Sequence, residues 1–401
     1  VAIINHMTDT DLYKLTMMQA VFHQHPGADA TYSLRCRNGT GLPSDDLSDN
    51  LKYVKNINRE IGYLCTLGFT DEELSYLAEM PYMAPDFMAY LKNFHLDCSH
   101  INVSIKENNL QIRVQGPWLA TILFEVPVLA IVSQLYYKCS FQNISSALDE
   151  GKRRLDKKIK FLAKLRDKGD LDDFIFIDMG TRRRFSFEWQ EFVLRKFAEK
   201  CRPMFAGTSN VYYAMKLGIE CFGTMAHEWL QAHQRLADKL EDFQKAALEN
   251  WFQEYQGQLG IALSDVVGFD AFLRDFDLNL SKRYTGVRHD SGDPIDWGNK
   301  LIEHYKEFSI DSETKTAVFS DGLDFVRAVD IYNAFTSKIR TSFGIGTWLT
   351  NDMGKKAMQF VIKMVECNGR PVAKVSDSRG KETCEDDAFE DEIKRIFQIE
   401  V

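Results

Sequence analysis

No two of the eight cysteines form a CxxC pair. Cys36, Cys65, Cys98, Cys139, Cys201, Cys221, Cys367 and Cys384 are scattered along the 401 residues. That scatter argues against a disulfide framework or a structural zinc site, and it suits a reduced, cytoplasmic protein. The histidines do not supply a metal site either. His227 and His233 are six apart, not the three or four that place two ligands on one helix face. A basic excess is also missing. The formal net charge is -9, which argues against a nucleic-acid-binding face but leaves room for a local basic pocket. No apolar run reaches the roughly 20 residues of a membrane span. The longest, Leu119–Ser133, is broken by Glu125 and Pro127 and reads as a buried core segment. The first residues, VAIINHMTDTD, show no basic stretch followed by an apolar core and a cleavage site, so no secretory signal is expected there. There is no fixed-period repeat and no low-complexity linker.

What is present is ordinary globular composition, with a change of rhythm along the chain. DTDLYKLTMMQAVF reads as a helix, with Thr8 or Asp9 as its cap and Leu12, Leu15, Met18 and Val21 at helical spacing. ATYSLRCR alternates as a strand, and Asn102–Gly116 reads as a hairpin. The segment from Ile144 to Asp167 is an amphipathic helix whose many charges suggest a solvated face. From about Asp173, seven short β-rich runs alternate with helical stretches: FIFIDMG, MFAGTSN, CFGTMAHEW, GIALSD, YTGVRHDSGDP, TAVFSDG and IRTSFGIGT. Strands alternating with helices imply parallel pairing through helical crossovers. Seven in a row suggest an irregular parallel α/β barrel, with an open doubly wound sheet as the alternative. After Gly346 the rhythm ends in FVIKMVECNGRPVAKVSD, a hairpin turning at Asn368-Gly369. The expected organisation is therefore α/β. A barrel spans 136–357, and a sandwich-like α+β domain spans 1–135 and is completed by 358–401.

Each of the seven runs ends in polar or glycine residues. In parallel barrels the strands' C-terminal ends build the active site, so these clusters should converge. SFGIGT puts Gly344 and Gly346 where backbone N–H groups can approach a phosphate. It is neither a Walker loop nor a GxGxxG fingerprint. TRRRF supplies three arginines suited to carboxylate or phosphate. RHDSGDP sets Asp290 and Asp293 beside Arg288, able to hold Mg²⁺ with substrate oxygens or to bind sugar hydroxyls. His227, at the mouth of a helix in GTMAHEW, has three readings: a satisfied structural side chain, a metal ligand, or a group that does chemistry.

GTRRRFS, GTSN, GTMAHEW, YTGVRHDSGDP, FSDGLD, SFGIGT, NGRPVAKVSD and the N-terminal DTDLYKLTMMQA occur in order over nearly the whole chain. Together they resemble the nicotinate phosphoribosyltransferase family. The resemblance implies the type II phosphoribosyltransferase fold, and transfer of phosphoribose from phosphoribosyl pyrophosphate to nicotinate with Mg²⁺. It implies coupling to ATP hydrolysis and a place in NAD salvage, with no dedicated protein metal site. His227 matches the histidine that ATP transiently phosphorylates, and Glu228 or another carboxylate would orient it. Arg182 matches an arginine beside the pyridine ring, and Tyr13 a tyrosine that stacks on it, in many relatives from a neighbouring subunit of a homodimer. Asp265, Arg288 and Asp290 match residues around the ribose, pyrophosphate and metal. Asp321, Gly344 and Gly346 match the 5'-phosphate region, and Ser209 and Asn210 the place of ring-substituent selection. Met179 stands where many relatives carry a phenylalanine against the ring; a thioether can still contact an aromatic face. The sibling nicotinamide enzyme and a non-catalytic nucleotide sensor are the rival readings.

Overall fold

The computed structural model describes residues 2–375, 377 and 382–399. The N-terminal part contributes the helix Leu12–Gln24 and the strands β1 (Asp29–Cys36), β2 (Ile101–Lys106) and β3 (Asn109–Pro117). The middle contributes β4 (Phe176–Asp178), β5 (Phe205–Thr208), β6 (Glu220–Cys221), β7 (Ile261–Leu263), β8 (Gly286–His289), β9 (Thr316–Phe319) and β10 (Arg340–Ile345). The C-terminal part adds β11 (Phe360–Cys367) and β12 (Arg370–Pro371).

Two sheets result. The antiparallel one has the order β12-β11-β1-β3-β2, so strands from both chain ends build it. Its two tight hairpins turn where the chain takes positive φ at adjacent residues: Glu107 and Asn108 at 50° and 57°, Asn368 and Gly369 at 51° and 66°. That pair of left-handed residues matches the twist of the flanking strands. The parallel sheet has the order β6-β5-β4-β10-β9-β8-β7. This order is cyclic: consecutive strands are neighbours, and β10 closes back onto β4. Among the described residues only β6 and β7 fail to pair. The arrangement is thus a barrel with one seam, and the open doubly wound alternative is excluded. All seven β-rich runs read from the sequence supply its strands. Helices pack on it through aromatic contacts, such as Phe176 against Phe197 and Phe325 at ring distances of 5.2 and 4.8 Å.

The helix Leu12–Gln24 sits at the seam. Leu12 N–H donates to Ser209 O beyond β5 (2.8 Å), and Thr16 Oγ1 donates to Thr224 O beyond β6 (2.7 Å). Thr224 Oγ1 in turn donates to Ile261 O in β7 (3.2 Å). Gly223 permits this approach, because a Cβ there would lie 2.7 Å from Tyr13 N. The cap of this helix differs from expectation. Asp11 is the N-cap residue, and its side chain makes no capping bond. Thr8 and Asp9 are drawn elsewhere: Thr8 to Glu73, and Asp9 into a fully buried bidentate pair with Arg184, both bonds 2.7 Å. Replacing Arg184 with methionine would leave the Asp9 carboxylate buried without its partner. Loss of one member of such a pair costs about 3–5 kcal/mol. Denaturant unfolding of Arg184→Met should show a stability loss of that order.

The run from Trp118 to Ser140 is helical and apolar enough to cross a membrane, yet 83% of its most apolar window is buried inside the protein. It is core, as expected. The helix Ile144–Arg166 is less solvated than its composition suggests. Its Lys158 is buried, 2.9 Å from Asp352 and 3.8 Å from the centre of the Trp348 ring.

Candidate functional site

The C-terminal ends of the parallel strands and residues of β11 enclose a cavity of about 430 Å³. Tyr13, Met179, Arg182, Ser209, His227, Arg288, Asp290, Gly344 and Gly346 all line it. Residues up to 333 apart in sequence (Tyr13 to Gly346) therefore meet, the strand ends with one another and Tyr13 through the seam helix. Tyr13 reaches the wall from the helix Leu12–Gln24. Met179 packs against the two glycines of SFGIGT: a Cβ on Gly344 would lie 2.4 Å from its sulfur, and one on Gly346 would lie 2.9 Å from its carbonyl. Both glycines are thus fixed by close approach, leaving their backbone on the cavity wall.

Three residues expected in the site are not on the cavity wall. Asp265 lies behind His227 and not on the cavity wall. Its Oδ1 is 2.8 Å from His227 Nε2, and its Oδ2 takes Ser291 Oγ (2.9 Å) and Lys374 Nζ (2.8 Å). Asp321 is not among the lining residues, although Ser320 and Gly322 beside it are. Asn210 is fully buried beneath the wall. Its Nδ2 donates to Asp9 (2.8 Å), and its Oδ1 caps the next helix through Tyr213 N (3.0 Å). The third arginine of TRRRF is likewise structural, as the Arg184–Asp9 pair shows, so only Arg182 and Arg183 face the cavity.

His227 opens the helix His227–Leu236. Its Nε2 faces Asp265 and, at 3.5 Å, Asp290; its Nδ1 faces Lys363 Nζ at 3.5 Å. Asp265, not Glu228, is therefore the carboxylate that orients the ring. Burial first, and Lys374 next, push the imidazole down to about 3, so the ring is neutral at physiological pH. Burial and the neighbouring Asp265 push Asp290 up, but His227, Arg288 and Lys374 outweigh them and hold it at about 2. Lys363 is lowered to about 7 by burial, with Lys374 and Arg182 adding repulsion. Asp290 also accepts Ser320 Oγ at 2.9 Å.

Sequence reasoning missed Lys363, Lys374, Glu125 and Lys14. Two of them had a legible signal. Lys363 is the one charge in the apolar half of β11, and Glu125 the one charge in the longest apolar run. The cavity's acids are largely answered from outside it. Lys14 pairs with Glu125 and Glu228, and Arg154 and Lys158 pair with Asp352. Arg182, loosely held by Glu125 at 3.7 Å, faces the cavity with Arg183, Arg288 and Lys363 as an anion-attracting wall. Arg288 Nε is buried and has no hydrogen-bond partner among the described residues.

The donor set also fits Mg²⁺. Ligand atoms of His227, Asp265 and Asp290 lie within 4.8 Å of one another, and carboxylate oxygens are the donors that ion takes.

The chain matches the profile of the nicotinate phosphoribosyltransferase (NAPRTase) family over residues 174–401, and that of the family's N-terminal domain over 8–133. It is 48% identical to a nicotinate phosphoribosyltransferase of Burkholderia mallei, over 99% of this chain and 97% of that one. Identity to the same-named protein of Acinetobacter baylyi is also 48%, with the same coverage. A nicotinate phosphoribosyltransferase structure from Vibrio cholerae superposes with a TM-score of 0.94 at 38% identity, covering 100% of this chain and 95% of that one. A structure from Saccharomyces cerevisiae described as a putative nicotinate phosphoribosyltransferase gives a TM-score of 0.89 at 29% identity, covering 100% and 99%.

Proposed function

The chain belongs to the nicotinate phosphoribosyltransferase family, and from that premise we propose that it joins nicotinate to phosphoribosyl pyrophosphate in a reaction driven by ATP through a phosphohistidine at His227. Nicotinate mononucleotide and pyrophosphate are the products, for use in NAD synthesis in the cytoplasm. The observation that carries this reading is the setting of His227: a neutral imidazole at a helix start, held by a carboxylate on one nitrogen and facing a lysine with the other.

The reading can be written atom by atom. With Nε2–H donated to Asp265, the lone pair is on Nδ1, the nitrogen that faces Lys363. A neutral imidazole is a competent nucleophile. Attack by Nδ1 on the γ-phosphorus of ATP forms an N–P bond and breaks the bond to the β-phosphate oxygen, releasing ADP. The Lys363 ammonium stands where the transferred oxygens arrive. The start of the His227 helix adds its backbone N–H groups. Phosphorylated His227 is later hydrolysed, returning the imidazole.

In the glycosyl step the pyridine nitrogen attacks ribose C1 and pyrophosphate leaves. The nitrogen carries no proton to remove, so no strong base is needed. Arg288 meets the leaving pyrophosphate, and Asp290 stabilises the positive charge that builds on the ribose. Mg²⁺, held by Asp290 with substrate oxygens, would supply charge neutralisation for the pyrophosphate. Tyr13 and Met179 flank the ring. Arg182 answers the ring carboxylate, and Ser209 stands beside it with its hydroxyl donated to Asp11 (2.9 Å).

Incubation with nicotinate, phosphoribosyl pyrophosphate and Mg²⁺, with and without ATP, tests the reading. Nicotinate mononucleotide should form and should form faster with ATP. No product from a folded protein would overturn it, and product from nicotinamide alone would favour the sibling reaction. A charge-assisted bond is worth about 1.5–3 kcal/mol. Arg182→Gln should therefore raise KM for nicotinate by about 10- to 100-fold, with a much smaller effect on phosphoribosyl pyrophosphate, measured in the same assay.

A further inference from the structure

Four side chains from four separate elements form an unbroken row of alternating charge between the pyridine pocket and His227. Arg182, just beyond β4, has Nη1 3.7 Å from Glu125 Oε1. Glu125, the first residue of the helix Glu125–Ser140, has Oε2 2.5 Å from Lys14 Nζ. Lys14, in the seam helix, also bonds Glu228, the residue after His227. Glu228 is anchored by Trp118 Nε1 (3.0 Å) and Tyr32 OH (3.1 Å). Lys14, Glu125 and Glu228 are all buried. Burial alone would lower the Lys14 ammonium, but Glu125 and Glu228 outweigh it and raise it, and the Glu125 carboxyl is held low by Lys14 and then Arg182 despite its burial.

Buried charges are tolerated when each is answered. Here the one loose link is Arg182 to Glu125 at 3.7 Å, and both of its members line the cavity. A ring carboxylate that reaches Arg182 competes with Glu125 for it. Glu125 then depends on Lys14, with Lys363 the remaining cation acting on it, and Lys14 divides itself differently between Glu125 and Glu228. Glu228 adjoins His227 at the helix start, so that change is delivered to the phosphorylated residue.

We propose that this row couples occupancy of the pyridine pocket by an anionic ring to phosphoryl chemistry at His227, with Glu125 and Lys14 as its positioning residues. The proposal rests on the phosphohistidine reading above. It goes further in naming the device that keeps ATP consumption tied to the presence of the acid. A neutral pyridine carboxamide, unable to compete for Arg182, should not operate it.

The test measures ATP hydrolysis at saturating phosphoribosyl pyrophosphate, with nicotinate, nicotinamide or neither, together with ATP consumed per mononucleotide formed. Couplings of this kind typically reach about 5-fold or more. In the wild type nicotinate should change the hydrolysis rate by about that factor, and nicotinamide should not. Glu125→Gln keeps the shape and removes the charge. It should lose most of the nicotinate effect and consume about 5-fold more ATP per product. Tyr32→Phe removes one hydroxyl from the Glu228 anchor and should raise the ratio by a smaller factor. A purely structural role would lower turnover in both variants and leave ATP per product at the wild-type value, and that result overturns the proposal. If Glu125→Gln does not fold, an unchanged ratio in Tyr32→Phe overturns it equally. A wild type that makes product without any ATP effect defeats the phosphohistidine reading itself, which no variant is needed to see.

Discussion

Asparagine in place of His227 is expected to abolish ATP stimulation of nicotinate mononucleotide synthesis while leaving a slow, ATP-independent transfer. The side chain is nearly isosteric and can still donate toward Asp265, so the fold and the glycosyl pocket should survive. What is lost is the lone pair that faces Lys363. Removal of an enzyme's covalent nucleophile costs several orders of magnitude in the step it performs. ATP hydrolysis by His227→Asn should therefore fall by at least about 10³-fold, with the ATP-independent rate much less affected. The same argument fixes a pH dependence for the wild type. An ordinary histidine, at about 6.5, would be largely protonated and non-nucleophilic at pH 5.5. His227 is held down to about 3 by burial and by Lys374, so lowering the pH from 7 to 5.5 should not extinguish phosphoenzyme formation through imidazole protonation. Rapid-quench measurement of acid-labile protein phosphate at the two pH values checks this.

The second large effect is at Asp290. It lines the cavity, lies 3.5 Å from His227 Nε2 and follows Arg288 on the same strand end. An ionised carboxylate beside the ribose stabilises the charge that develops there and offers an oxygen to Mg²⁺. Asp290→Asn keeps the Ser320 contact but removes the charge. The expected loss in turnover is about 10²–10³-fold, the size seen when one preorganised electrostatic partner of a transition state is removed. The loss should appear in the glycosyl step with or without ATP. That separates it from His227→Asn, whose defect is confined to ATP. An Asp290→Asn enzyme with near wild-type turnover would remove Asp290 from the chemistry.

The barrel was legible because each of its strands is a short apolar run ending in polar or glycine residues, and because the topology brings every such end to one side. His227, Arg288, Asp290, Gly344 and Gly346 follow from that rule. Where a polar residue's side chain goes is a different matter. In TRRRF the pattern is the same for all three arginines, yet Arg184 turns inward to Asp9 because the N-terminal segment lies across that face. Asn210 and Asp265 sit at the expected strand ends but stand one layer back, one capping a helix and one orienting His227. Lys158 belongs to a helix that reads as solvated, and is buried because Trp348, in the short helix Thr347–Thr350, and Asp352 just after it pack against it. Lys14, Glu125 and Lys363 reach the site from elements outside the barrel rhythm, so their meeting is set by how the seam helix and the antiparallel sheet pack on the barrel. That information is tertiary and has no local pattern, apart from the anomaly of a lone charge in an apolar run.

The most direct test of the central claim is to locate the phosphate. The protein is mixed with γ-labelled ATP and Mg²⁺, quenched in alkali to preserve phosphohistidine, digested and mapped by mass spectrometry. Acid-labile label on the peptide carrying His227, discharged when phosphoribosyl pyrophosphate and nicotinate are added, is the expected result. Label on another residue, or none while ATP still accelerates product formation, would contradict it.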